Sequence, residues 1–439
     1  MFEYYLSLAL RSLRRNLVLT ILMVAAIGVG IGASMTTLTV FRAMAADPIP
    51  DKSRQLFAVQ IDNWGPSEHT MDSMDMEGLA DQMDYTDAMA LMRARTAARQ
   101  AAMYPVGFAL TPDNRDLKPF KVDGRATYAD FFSMFEVPFE FGAPWGQAED
   151  EGSAPVVVIT HELNDKLFGG ANSVGRSINL DNEDYRIIGV MRHWDPMPRF
   201  YDLTNESFEK TAPVFVPFTR AIDRHIQSWG NTNCANFTES GWQGFLNSNC
   251  VWIQYWAELP TAQAVEHYRR WLDNYADEQH RSGRFEWPAH TKIRDVRAWL
   301  SYEHVVSDET RILVLVSFSF LLVCVLNAMG LMLAKFLGRS ADIGVRRALG
   351  ANKRAIMAQC LIEAGVVGMA GGVLGILLTV LGLLGLRSLL SQQILELTHL
   401  DPTGVGIALA LAVAATILAG LYPTWRAAQV QPAWQLKAQ

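Results

Sequence analysis

The stretch LVLTILMVAAIGVGIGASMTTLTVF, residues 17–41, holds no Asp, Glu, Lys or Arg across 25 positions. A bilayer core of about 30 Å takes roughly 20 helical residues. A buried soluble helix of this length would carry a polar face, and this run has none. Three further runs share its character, at 312–334, 364–386 and 403–423. The chain has 439 residues, 50% hydrophobic and 19% charged, and its apolar residues are gathered into these runs. Length alone would allow about three soluble domains. The segregation instead predicts an α-helical membrane protein with four transmembrane helices and a large extracytoplasmic domain at 42–311.

The first run could imitate a signal peptide, because Arg11, Arg14 and Arg15 precede it and Ala43-Met44-Ala45 resembles a cleavage site. A signal h-region is usually about 7–15 residues. The longer run therefore reads as a retained signal anchor.

Lys and Arg set the orientation. Residues 1–16 carry +2, the loop at 335–363 carries +4, and the tail at 424–439 carries +2. The short loop at 387–402 carries −1, which leaves −14 on residues 42–311 against −7 for the whole chain. Both ends and the 335–363 loop are thus expected in the cytoplasm, and the two acidic segments outside. An acidic outer segment also argues against nucleic acid as a partner, since gripping phosphates takes a basic surface.

Cys324 and Cys360 lie in or beside spans, where Cys is usually a small apolar filler. Cys234 and Cys250 lie outside, where free thiols are uncommon, so a disulfide is expected. The alternative is two unpaired buried cysteines. No Cys/His cluster has metal spacing.

The outer segment reads as mixed α/β. PVVVIT (155–160) is a β-branched strand, followed by a helix in HELNDKLF that Gly169 and Gly170 stop. Residues 176–180 and 185–191 alternate as two strands around the turn at Asp181-Asn182-Glu183-Asp184. Strands are also expected at 54–61, 250–256 and 291–296, helices at 74–92 and 262–276, and proline-punctuated connections at 194–199 and 211–217.

Catalytic motifs are near-misses. GANSVGRS (170–177) has phosphate-loop spacing with Arg176 in place of the lysine, but follows a helix and precedes a strand, the reverse of a working loop. Ser207-Phe208-Glu209-Lys210 imitates an acyl-serine motif without its companion motifs. The outer histidines are scattered singly. No catalytic residue and no metal ligand is assigned.

The spans carry no ionisable residue of the kind that marks an ion route. Their unusual feature is glycine: Gly28/Gly32 and Gly371/Gly375 have the GxxxG spacing that lets helix backbones approach closely. On the cytoplasmic side, Leu6, Leu10, Leu13 and Leu17 share one face of an amphipathic helix at 1–16, expected to lie along the membrane surface. The 335–363 loop crowds Arg346, Arg347, Lys353 and Arg354 around a break at Gly350-Ala351-Asn352. Composition fits equally a positive-inside topology signal and a docking helix for a cytoplasmic partner.

Four stretches carry a family likeness that runs essentially end to end. They are LALRSLRRNLVLTILMVAAIGVGIGA (8–33), PVVVITHELNDKLFGGANSVGRSINLDNEDYRIIGVM (155–191), ADIGVRRALGA (341–351) and GLYPTWRAAQVQPAWQLKAQ (420–439). Together they resemble the MacB/FtsX-type permeases of ABC transporters. The resemblance implies a bacterial inner-membrane subunit without a transmembrane pore. An ATPase dimer would sit below two permease subunits, the second being identical or homologous. ATP and Mg would bind on the ATPase, with no cofactor on this chain. Nucleotide-driven closure would enter through a coupling helix at Asp342, Ile343, Gly344, Val345, Arg346, Arg347, Leu349 and Gly350, and would move the periplasmic domain. That domain is expected to have a Porter part (48–114 and 221–300) and an inserted Sabre part (115–220). A periplasmic adaptor and an outer-membrane channel are the further partners of an exporter.

Three departures stand out. No nucleotide-binding domain is fused to the chain, so a separate ATPase chain is expected. Asp342 replaces the family's usual Glu. Pro432-Ala433-Trp434-Gln435-Leu436 replaces P-x-E-A-L-R, which hints at a non-identical partner permease. Two other classes of function remain at this stage: an FtsX-like regulator of a periplasmic cell-wall hydrolase, whose outer domain is usually much smaller, and a membrane-tethered enzyme.

Overall fold

The computed structural model describes residues 2–62, 64, 79–113, 117–234, 240–288, 290–339, 343–346, 349–350, 352–386 and 402–428. Two compact units divide the chain: Met1–Ala45 with Val306–Gln439, and Ala46–Val305. The first unit begins with α1 (Phe2–Arg15) and α2 (Leu17–Met44).

The second unit is built on one ten-stranded mixed sheet. Its elements in chain order are β1 (Leu56–Ile61), α3 (Tyr85–Ala94), β2 (Arg99–Thr111), β3 (Phe120–Thr127), α4 (Asp130–Met134), β4 (Phe139–Gly142), α5 (Gln147–Glu151), β5 (Val156–Ile159), α6 (His161–Phe168), β6 (Ser177–Leu180), β7 (Glu183–Met191) and β8 (Val214–Pro217). There follow α7 (Phe218–Asp223), α8 (Gly241–Asn247), β9 (Gln254–Glu258), α9 (Ala262–Arg281), β10 (Thr291–Asp295) and α10 (Val296–Tyr302). The strand order is β10-β1-β9-β2-β3-β8-β5-β7-β4, with β6 pairing both β2 and β7. Only β3–β8 and β5–β7 among the named strand pairs are parallel.

The sheet carries a hydrophobic core on each face, because side chains alternate along a strand. Ala102, Tyr104, Val106, Phe108 and Leu110 of β2 enter one core, while Ala101 and Met103 enter the other. In β5, Val157 and Ile159 face the first core and Val156 and Val158 the second. Burial on both sides explains why PVVVIT is continuously apolar rather than alternating. Its helix follows as expected, with the Thr160 side chain capping α6 and Gly169 closing it in the left-handed region at φ 65°. The β6–β7 hairpin turns at Asp181 and Asn182 alone, both at positive φ, so Glu183 and Asp184 already belong to β7.

Several expected boundaries move. The helix expected at 74–92 is Tyr85–Ala94 in the described residues: Asp84 caps its first turn, accepting from the backbone N–H of Asp87, and Met83 bridges to Ile253 instead. The connection expected at 211–217 contains β8, whose Val214, Phe215 and Val216 are fully buried. The strand expected from 250 starts at Gln254, since Val251 pairs outside the ladder with Asn233. The boundary expected between the Porter and Sabre parts falls between β2 and β3, which are themselves paired in the one sheet.

The helical unit is completed by α11 (Asp308–Leu337), α12 (Lys353–Leu386) and α13 (Pro402–Ala428). Among the described residues, α2, α11 and α12 are long and apolar enough to cross a membrane. The helices α11 and α12 overrun the uncharged stretches, so the loop expected at 335–363 contracts to 338–352. Helix α1 turns Ala9, Ser12 and Leu13 into the unit, while Leu17 is exposed. The side chains of Leu6 and Leu10, the loop at 387–401 and the tail at 429–439 lie outside the described residues.

Candidate functional site

The segment joining α11 to α12 is the first candidate. A helical turn covers 343–346, and the N–H of Leu349 donates to the carbonyl of Val345 at 3.0 Å. Gly350 then sits at φ 95°, where a side chain is strained, and reverses the chain. The Asn352 side chain accepts from the N–H of Arg354 at 3.2 Å and starts α12. Ile343 packs partly buried against the helical core and Gly344 is buried. Val345 is 59% exposed and Leu349 is 83% exposed. Arg346 is exposed and donates to the Gln359 side chain at 2.9 Å, which anchors the turn to α12. Lys353 and Arg354 are also exposed. Asp342 and Arg347 lie outside the described residues. Among the described residues the segment thus offers exposed apolar side chains among cations, a surface suited to a groove with acidic edges.

Beside it lies a buried polar cluster not anticipated from the sequence. Lys335 Nζ stands 2.5 Å from Glu363 Oε1, and the Ser12 hydroxyl donates to the same oxygen at 2.7 Å. Arg339 reaches Glu363 Oε2 at 3.5 Å and also donates to Ser12. Lys335, Glu363 and Ser12 are all buried. Taken as loop residues they count only toward charge. The overrun of α11 and α12 brings them inside.

The four GxxxG glycines line the contact between α2 and α12. A methyl group added at Gly28 would stand 2.8 Å from Leu374, and one at Gly32 would stand 2.7 Å from Leu378. One at Gly371 would stand 2.6 Å from Ile27, and one at Gly375 would stand 2.7 Å from Ile31. Each glycine is therefore the hole for a large side chain of the opposite helix. Gly368 and Gly372 do the same toward Thr416, Ala412 and Leu409 of α13.

In the outer unit, Cys234 and Cys250 form a disulfide, with Cα atoms 4.1 Å apart. A cleft of about 660 Å³ is lined by Met89, Met92, Tyr128, three arginines and three acids. Its Arg95 and Arg99 are tied to Glu151 and Glu258. In the former near-miss 170–177, Arg176 lies over the Phe168 ring at 4.2 Å.

The family model for a MacB-like periplasmic core domain matches residues 20–263, and that for an FtsX-like permease C-terminal domain matches 314–432. The chain belongs to the MacB/FtsX-type permeases. The macrolide export ATP-binding/permease protein MacB of Shigella boydii is 25% identical over 440 residues, covering 98% of this chain. The pyoverdine export ATP-binding/permease protein PvdT of Pseudomonas aeruginosa is 25% identical over 310 residues, covering 71% of this chain. This permease spans 60% of the length of the first relative and 41% of the second. The crystal structure of the periplasmic region of MacB from Actinobacillus actinomycetemcomitans aligns over 57% of this chain and 94% of its own, at 10% identity and a TM-score of 0.36. With its apolar helices, this member of the MacB/FtsX-type permeases is a multi-pass inner-membrane protein with a periplasmic domain.

Proposed function

We propose that this chain is the permease subunit of a MacB-like transporter, and that it couples ATP hydrolysis on a separate ATPase subunit to movement of its periplasmic domain and export of a substrate. A fourth span, α13, completes the topology, supported by the uncharged run at 403–423. ATP and Mg bind on the ATPase. The ATPase docks on residues 342–350, and a second permease subunit completes the assembly.

The observation that carries this reading is the exposure of Val345 and Leu349, at 59% and 83%, on a turn anchored to α12 through Arg346. A short helix transmits force when it packs into a groove of its partner. Burying one such side chain contributes about 1.5–3 kcal/mol, and Arg346 adds charge-assisted bonds at the rim. The dense glycine packing of α2 against α12 supports helices that move as bodies and leave no pore between them.

Leu349→Asp places a charge in the docking contact. The variant is expected to insert normally and to lose both ATPase co-purification and transport. Wild-type levels of both would reduce the segment to a topology signal.

A further inference from the structure

We infer that Glu363 is a positioning residue: its buried carboxylate clamps α1, α11 and α12 together beside the coupling turn, so that a push on 343–350 reaches all three helices at once. This rests on the docking reading above and deepens it.

The geometry sets two polar contacts one helical turn apart on α12. Arg346 in the turn donates to Gln359 of α12 at 2.9 Å. Glu363 lies one helical turn further along α12, on the same side of the helix. Its Oε1 accepts from the Ser12 hydroxyl of α1 at 2.7 Å and forms an ion pair with Lys335 Nζ of α11 at 2.5 Å. Its Oε2 faces Arg339 at 3.5 Å, and Arg339 closes the ring by donating to Ser12. One carboxylate of α12 therefore gathers Ser12 of α1, Lys335 of α11 and Arg339 just beyond α11. Arg339 stands at the mouth of the coupling segment, and the Ile343 N–H donates to its carbonyl at 3.1 Å.

Stability alone is a poor explanation for such a group. Glu363 is 2% and Lys335 is 3% exposed, and desolvating two charges offsets most of what their attraction returns. A packed apolar pair of similar volume is often as stable or more so. What an apolar pair lacks is direction: it does not fix the rotation and register of three helices through bonds to named oxygens.

The test uses the full chain with Cys324 and Cys360 replaced by alanine, in lipid nanodiscs. Spin labels go on positions 14 and 345, both exposed. Pulsed electron resonance should give one narrow distance for the otherwise native protein. Glu363→Gln should lose the single peak. Because that variant leaves Lys335 buried without its partner, K335M/E363M is measured as well. It should match the native protein in thermal stability and membrane insertion, yet also lose the narrow distance and the hydrolysis coupled to the docked ATPase. A single narrow distance in both variants, or full coupling in K335M/E363M, overturns the clamp and leaves only a structural pair. L349D should keep the narrow distance. Failure of the ATPase to co-purify with the native chain would sink the docking reading, while the distance measurement would still decide the clamp.

Discussion

Asp150 illustrates how burial and hydrogen bonding compete at a single residue. Its carboxylate accepts from Trp145 Nε1 at 2.7 Å and from the Ala129 N–H at 2.8 Å, bonds that favour the charged form. Burial opposes them and wins, with Asp130 and Glu149 adding repulsion, so the group is pushed up to about 7. Its folded value thus lies above an unfolded value of about 3.9. The stability it contributes is complete below the unfolded value and is lost as pH rises through about 7. The melting temperature of the outer unit should fall between pH 5.5 and 8, and Asp150→Asn should flatten that fall. An unchanged slope would contradict the assignment. At Cys234 and Cys250 the compartment argument sufficed, since free thiols are uncommon in oxidising surroundings. Their separation of 16 residues corresponds to about 3 kcal/mol of restriction on the unfolded chain. Cys234→Ser with Cys250→Ala should lower stability by that order in denaturant titration, and an unchanged midpoint would reject a stabilising bond. Nothing in the sequence signalled the partners of Glu363. Lys335 and Glu363 lie 28 positions apart at the ends of uncharged runs, and only the packing of α1 supplies Ser12.

At the scale of elements, legibility followed local chemistry. The strand PVVVIT, its Thr160-capped helix and the Asp-Asn turn carried their own signals. The longest strand, β2, did not. Pro105 lies inside it, pairing with Arg125 in the register with β3, and proline argues against a strand interior. Burial on both faces erased the alternation that otherwise marks a strand. The glycines of α2 and α12 were legible as a spacing, whereas their partners emerge only in the packed helices. Gly371→Leu would drive a side chain into Ile27 and should destabilise the helical unit by about 1–3 kcal/mol. Gly365→Leu is the control, because nothing lies within 4 Å of a methyl group placed there. Equal thermal stability of the two variants in detergent would show that the close approach does not hold the helices.

At the scale of the whole molecule, uncharged runs and the Lys/Arg distribution set out a map whose coarse outline, a multi-pass membrane protein with a periplasmic domain, the family assignment shares. Impermeant thiol reagents should label a cysteine at position 278 in intact spheroplasts and should miss one at 354 until the membrane is opened. Label at 354 in sealed cells would reverse the map. The extent of the sheet was not legible in this way, because pairings such as β1 with β10 join residues more than 200 positions apart. The coupling account turns on what touches Leu349 in the cell. A photo-reactive phenylalanine analogue at position 349, irradiated in intact membranes, measures that directly. The account predicts one dominant adduct whose partner is the ABC ATPase, lost when Arg346 is replaced by Glu. Adducts only to lipid or to this chain itself, with the ATPase present and active, would contradict it.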